Sequence, residues 1–477
     1  MHDTHRGERQ VKNKGTVYLP ATSGQKDDGF TEGQPGKSAY DAYKTRAAFP
    51  DVVKMAVDAM VGVMHHKPAV IELPSALERM LEMATLQGES LQMLLRRINE
   101  HQLITGRLGL LLDVPDGAPV GTAPYVALYR AESILNWDNG QRGMPVVQNL
   151  NLVILDESEF QRKEDFEWEE EKQFRVLILG DPKENEPATA KAVYRVGVFD
   201  DATSSFTEDK LIEPTIGGNT LDQIPFVFIN AKDIVPDPDA PPLLGLANQA
   251  LTIYRGEADY RQGLFMQGQD TLVVIGGTMD PDEEIRTGAN AAIRVSVGGD
   301  AKYIGVESSG LTEMREALMN DKGEASQKGG QLLDSVSRAR EAEGTLKIRV
   351  AARTASLNQI TLAGAFGLET VLKMAAMWVG ADPEKVSVIP NQDFADDELS
   401  GKTLNEYMTA HALGAPFSKK SIHRLMEEKD LTVLTFEEEV KELEEEEDMF
   451  PELGGTTVDG PIEEVDDDDD DDGNETT

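Results

Sequence analysis

The chain contains no cysteine among its 477 residues. Disulfides, thiolate metal sites and a thiol nucleophile are therefore excluded, and a reducing compartment fits that absence. Positive charge is scarce as well. The 46 Lys and Arg face 86 Asp and Glu, a net charge of −40. A surface of that sign repels nucleic-acid phosphates, which disfavours an ordinary DNA-binding module but still permits a wall that DNA slides past. The N-terminus, MHDTHRGERQVKNKGT, has no apolar signal core, which argues against secretion. Uncharged apolar runs of membrane-spanning length are missing too. The most apolar window, 360–381, carries Glu369 and Lys373 in its interior. Each charge would cost about 2.5–3.5 kcal/mol at the centre of a membrane helix, so a buried or oligomer-packed helix is expected and no membrane insertion.

Catalytic signatures are absent in the same way. The seven histidines are His2, His5, His65, His66, His101, His411 and His423, and none has metal-ligand spacing. There is no G-x-S-x-G and no S-x-x-K. The strand at Leu108–Leu112 ends in a single acid, Asp113, as the metal-binding strand of a nucleotide hydrolase does, and Gly401-Lys402-Thr403 resembles the end of a phosphate loop. The glycine that such a loop needs would fall at Asp396, which sets a carboxylate where phosphates must sit. Asp113 reads instead as the exit turn of its strand, with Pro115 and Gly117 behind it. No enzyme activity, cofactor or metal is expected.

What is present is an ordered series of elements. Residues 1–38 lack periodicity and are expected to be a disordered arm. The stretch 38–68 reads as helical, with Pro50 suited to a first turn and Pro68 as its stop, and 78–100 is helical again, with a short strand AVIELP between them. From 103 to 200 the pattern changes to short strands separated by turns, a β-rich unit of mainly antiparallel sheet, with IPFVFINA as a further strand. Pro241 and Pro242 open a helix to about residue 267, long enough to reach about 40 Å. A compact β excursion follows, then helices at 311–336 and 351–379, and two shorter helices, each preceded by a capping serine, Ser400 and Ser418. From Glu437 to Thr477 there are 21 acids and one base, Lys441, half of the total net charge. Against that background Arg338, Arg340, Lys347, Arg349 and Arg353 form a local basic cluster, read either as partners of neighbouring acids or as contacts to a phosphate backbone or a second subunit.

The order of YDAYKTRAAFPDVVKMAVDAMVGVMHHKPAVIELP, GRLGLLLDVP, PYVALYRAESILNWDNG, FRVLILGD, IPFVFINA and PPLLGLANQALTIYRGEADYRQGLFMQGQDTLVVIGG resembles the portal proteins of tailed bacteriophages. The resemblance runs from about Ala39 to Lys441. It implies an α+β portal fold: a β-rich wing, a long helical stem, a small clip and an α-helical crown, assembling as a ring. On this chain the wing would span 39–235, the first stem helix 236–268, the clip 269–310 and the second stem helix 311–336. The tunnel loop would span 337–350, a long wing or tunnel helix 351–390, the crown 391–436 and a largely disordered acidic tail 437–477. The implied role is the channel at one capsid vertex through which double-stranded DNA is packaged and ejected. The implied partners are further copies of the chain, usually twelve, the large terminase, the major capsid protein and neck or adaptor proteins. Arg338 and Arg340 would lie near the DNA. Another virion structural protein, such as a capsid or adaptor component, is the alternative.

Overall fold

The computed structural model describes residues 1–114, 122–139, 150–180, 192–200, 207, 210–216, 219–267, 271–276, 295, 297–304, 309–330, 343–392, 394, 401–413, 415, 418–428, 432 and 434–449. The chain divides into two units, Met1–Phe394 and Ala395–Thr477.

The expectation of a disordered N-terminal arm is corrected. Residues 1–38 form α1 (His2–Arg6), α2 (Glu8–Asn13) and α3 (Ser23–Asp27), and they run into α4 (Pro35–Arg46), which crosses the expected boundary at residue 39. Helical periodicity is invisible in elements this short, so local capping and burial hold them instead. Gly7, at φ +86°, separates α1 from α2. Thr22 and Gln25 form a reciprocal capping box. Val11 and Leu19 are fully buried, Tyr40 donates its hydroxyl to Leu19 O at 2.9 Å, and Arg255 donates Nε to Tyr18 O at 2.9 Å.

Next come α5 (Val52–Met64), β1 (Val70–Glu72) and α6 (Leu91–Thr105). The helix expected over 78–100 is also corrected. Ser75–Leu81 is a run of 3₁₀ turns and Gly88 takes a positive φ. Helix α6 starts only where Ser90 Oγ accepts the N–H of Met93 at 3.2 Å.

The β-rich region contains β2 (Arg107–Asp113), β3 (Tyr125–Arg130), β4 (Ile134–Asn139), β5 (Leu150–Asp156), β6 (Glu159–Arg162), β7 (Trp168–Glu171), β8 (Gln173–Gly180), β9 (Val193–Asp200), β10 (Thr215–Ile216), β11 (Asn219–Thr220) and β12 (Phe226–Asn230). Two antiparallel sheets dominate it, ordered β12-β2-β3 and β4-β5-β8-β9. The first sheet is apolar on both faces. One face packs on α6 and on a long later helix through Leu108, Leu110, Leu112, Val227 and Ile229. The other meets the second sheet through Leu111, Phe226 and Phe228. Phe226 lies so close over Gly109 that a Cβ there would stand 2.1 Å from its ring. At the corner between the sheets the Arg107 guanidinium sits between Trp137, at 4.0 Å, and Phe228, at 4.2 Å.

Helix α7 (Leu244–Gln267) leads into a two-stranded ribbon of β13 (Thr271–Ile275) and β14 (Asp300–Ile304), then α8 (Ser309–Gly330) and α9 (Glu343–Trp378). Of the strand expected over 291–297, only 295 and 297 are described residues. Helix α9 begins at Glu343, so the second half of the expected tunnel loop, 337–350, is helical; no proline interrupts EGTLKIRVAA. Its segment Ala355–Trp378 is long and apolar enough to cross a membrane, yet most of it is buried as a core helix. Leu368, Val371, Leu372, Ala375 and Ala376 are fully enclosed, and Lys373 reaches Glu369 at 2.7 Å. Gly380, at φ +72°, turns the chain into β15 (Ser387–Ile389), which pairs antiparallel with β1.

The second unit contains α10 (Gly401–Ala412), α11 (Lys419–Glu428) and α12 (Phe436–Met449). Ser421 donates its N–H to Ser418 Oγ at 3.3 Å, the expected cap of α11. His423 stacks edge-on against Phe436 at 5.4 Å. The acidic stretch is helical as far as Met449, so the tail expected from 437 starts with a helix. Ser400 and the run from Phe450 to Thr477 lie outside the described residues.

Candidate functional site

The element that most limits function is the helix pair α7–α8, and its sequence explains why the pair closes. Leu318 Cδ2 lies 2.9 Å from where a Cβ on Gly256 would be, and Leu311 Cδ2 lies 2.6 Å from the same point on Gly263. Two glycines about two turns apart on the same face of α7 thus form notches for two leucines of α8. Rising numbers on α7 meet falling numbers on α8, so the hairpin is antiparallel. Polar contacts keep the same register. Gln249 Nε2 donates to Asp321 Oδ1 at 3.3 Å, and Lys328 Nζ to Gln249 Oε1 at 3.3 Å.

One charge is buried between the helices. Glu257 accepts from Lys322 Nζ and Arg261 Nε, each at 2.5 Å. Burial alone would raise its carboxyl, but the two cationic hydrogen bonds outweigh it and hold the group below its ordinary value. Elsewhere α8 is wet. Its buried positions are Leu318, Ala325 and Gly329, while Glu313, Arg315, Glu316, Asn320 and Glu324 face solvent. At the far end of the hairpin Leu264, Phe265 and Met266 are exposed, and Met319 is exposed midway along α8.

The five basic candidates divide in two. Arg338 and Arg340 lie outside the described residues, as does the end of the expected second stem helix beyond Gly330. Lys347, Arg349 and Arg353 fall on the first turns of the α9 backbone, with Arg349 and Arg353 one turn apart.

Asp113 has a structural role. Its Oδ2 receives Arg175 Nη1 at 2.9 Å and the Tyr125 hydroxyl at 3.2 Å, and its Oδ1 receives the Val114 N–H at 2.8 Å. Arg175 also donates Nε to Glu157 at 2.7 Å, and Tyr129 donates its hydroxyl to the same carboxylate. Asp113 therefore clamps β2 to β8 across the two sheets. No group of three or more potential metal ligands occurs among the described residues. His65, at the end of α5, bonds Asn99 Oδ1 at 2.8 Å. The Glu257–Lys322 and Asp113–Arg175 pairs had no signal in sequence spacing, because each joins residues more than 60 positions apart, whereas Glu257 and Arg261 keep the i,i+4 spacing of one helix.

A family model described as "Domain of unknown function (DUF4055)" matches residues 242–379, which cover α7 through α9 and less than a third of the chain. No curated protein matches. Among solved structures the chain is similar to a chain of "Neck of empty GTA particle computed with C6 symmetry", at 14% identity and TM-score 0.38, covering 85% of this chain and 92% of that one. It is also similar to a chain of "Neck of native GTA particle computed with C12 symmetry", at 13% identity and TM-score 0.35, covering 81% and 90%. At these TM-scores the likeness does not establish a shared fold.

Proposed function

We propose that the chain is a portal subunit, a structural part of a virion that assembles into a ring around double-stranded DNA and does no catalysis. The observation that carries this reading is the α7–α8 hairpin. Two long antiparallel helices flank a small β ribbon, in the order expected of stem, clip and stem, and a long helix follows. One stem helix is packed against a core while the other is polar over most of its surface. A polar helix that spans no membrane and lends only Leu318 and Ala325 to a core suits the wall of a water-filled channel. Its charges are mixed in sign, which suits sliding better than gripping, since each neutralised phosphate adds to affinity. The exposed apolar residues at the end of the hairpin suit burial against a neighbouring copy.

In this reading β13–β14 is the clip that meets the large terminase and later the neck, and the β sheets form the wing. The basic residues Arg338, Arg340, Lys347, Arg349 and Arg353 belong to the narrowest part of the channel. The major capsid protein surrounds the ring at one vertex, and ATP hydrolysis belongs to the terminase. Light scattering of the purified chain over a range of concentrations tests the proposal. A closed multiple near twelve subunits is expected, with no ATP turnover. A monomer at every concentration, or turnover abolished by Asp113→Ala, would overturn it. A capsid or adaptor component remains the second reading, and the two long helices around a small β ribbon count against it.

A further inference from the structure

Beside β3 lies a cleft of about 320 Å³, walled by Leu86 and Gln87 ahead of α6, by Arg97 and His101 of α6, and by Tyr125–Arg130. β3 is the outer strand of its sheet. Leu112 turns its N–H toward Pro225 on the far side, so the Leu112–Val126 pair directs its backbone groups away from the β2–β3 ladder. The alternation repeats two residues on, at Leu110–Leu128. The outward N–H of Val126 is taken by Ala84 O at 2.8 Å. The outward N–H and C=O of Leu128 meet no such partner among the described residues. The sheet edge is therefore covered at one position and open at the next, where the cleft lies.

The cleft is also short of acceptors. Its lining holds two arginines and a histidine and no carboxylate, on a chain of net charge −40. One lining arginine is already paired, since Glu89 accepts Arg97 Nη1 at 2.9 Å, and Glu132, whose charge reaches His101 and Arg130, accepts from His2 Nε2 at 3.0 Å; Arg130 is the exposed cation of the cleft. His101 is only 6% exposed, and its buried Nδ1 has no hydrogen-bond partner; nor has the buried Nε of Arg97. Buried polar atoms without partners are uncommon, and each calls for an explanation. Burial, with Arg130, His2 and Arg97 nearby, pushes His101 down to about 4, so at neutral pH it is an uncharged hydrogen-bonding group.

We propose that this cleft is a strand-addition site for an extended acidic peptide segment of a partner protein. The peptide backbone pairs with Leu128 at the sheet edge, and a carboxylate meets Arg130 with His101 and Arg97 behind it. An open strand edge supplies affinity through main-chain bonds, and side-chain pockets beside it supply selectivity. The apolar wall of Leu86 and Leu128 suits alternate apolar side chains of the peptide better than it suits a free ion.

Fluorescence anisotropy with the full chain and a labelled seven-residue peptide of alternating valine and glutamate tests this. Binding with a Kd on the order of 10–100 μM is expected. N-methylation of alternate peptide amides, glutamine in place of its glutamates, and Arg130→Glu in the protein should each weaken binding by about tenfold or more. Arg130 is exposed, so its variant should keep the fold, which circular dichroism checks. The N-methyl peptide needs no change to the protein at all. No binding at about 1 mM, or binding indifferent to N-methylation or to Arg130→Glu, would overturn the proposal. Equal displacement by inorganic phosphate or a DNA oligonucleotide would reassign the cleft to phosphate and overturn it. So would binding that vanishes on self-association and returns on dilution, because the occupant would then be a second copy of the chain.

Discussion

Helices α8 and α9 are neighbours in sequence and opposite in construction. From Ala355 onward α9 is enclosed by α6, β2, β12 and β15, and its buried residues are Leu, Val and Ala. Helix α8 meets α7 through two leucines in glycine notches, Ala325, Gly329 and the polar side chains of Asp321, Lys322 and Lys328, and it also touches α5. The first is fixed by area removed from water, at about 25 cal/mol per Å² of apolar surface. The second is fixed by register, with little apolar area behind it. A helix of the second kind gains its full burial only from something outside the single chain, or else it faces a water-filled space by design. That contrast is the physical basis for reading the hairpin as a channel element.

The largest expected break of the comparison is in the body. Gly109→Val sets side-chain atoms against the Phe226 ring and should cost about 3 kcal/mol or more, seen as a lowered urea midpoint. Acid should separate the two regions next. The folded value of His101 is depressed from 6.5 to about 4, so the unfolded chain binds more protons between those values. Stability around α6 and α1 is full above pH 6.5 and falls by at most about 3 kcal/mol as pH drops to 4. Glu257 is depressed from 4.5, so the hairpin keeps its stability down to about that pH and loses it only below. Hydrogen exchange at pH 5 should therefore show α6 loosened and α8 unchanged; the reverse order would contradict both assignments.

Arg175→Met removes the cation that Asp113 and Glu157 share. Both side chains are mostly buried, so a loss of about 2–3 kcal/mol is expected in thermal unfolding, with the two-sheet region affected first. Glu257→Gln should cost less, about 1–2 kcal/mol, since Lys322 and Arg261 are half exposed and water can take over part of their pairing. Its signature is faster exchange in α8 with α9 unaffected. Truncation after Phe450 should change neither unfolding nor assembly, because that stretch carries acids and no base, has few apolar residues and cannot bury a core. Loss of assembly after truncation would make it structural.

The sequence made the long elements legible. The strands β2, β3, β5, β8, β9 and β12 and the helices α7, α8 and α9 announce themselves by period, and Pro241 and Pro242 mark the hairpin's start. The short N-terminal helices did not, since α1 and α2 have five and six residues, and the stretch after them is held at Tyr18 and Leu19 by Arg255 and Tyr40. The run over 78–100 misled because Met83 and Leu86 keep helical spacing while remaining exposed, ahead of a turn at Gly88. Of the candidate site, the basic cluster was visible as composition. The Glu257–Lys322 pair was not, since it depends on how α7 and α8 pack, and nor was the cleft at β3, which depends on which strand forms an edge and which polar groups meet no partner.

The central claim is that the polar face of α8 borders the axial hole of a closed ring. Cryo-electron microscopy of the purified chain tests it most directly. The account predicts closed rings with the α7–α8 hairpins around the hole and α9 behind them. Dispersed monomers, or rings that carry the hairpins on the outer circumference, would contradict it.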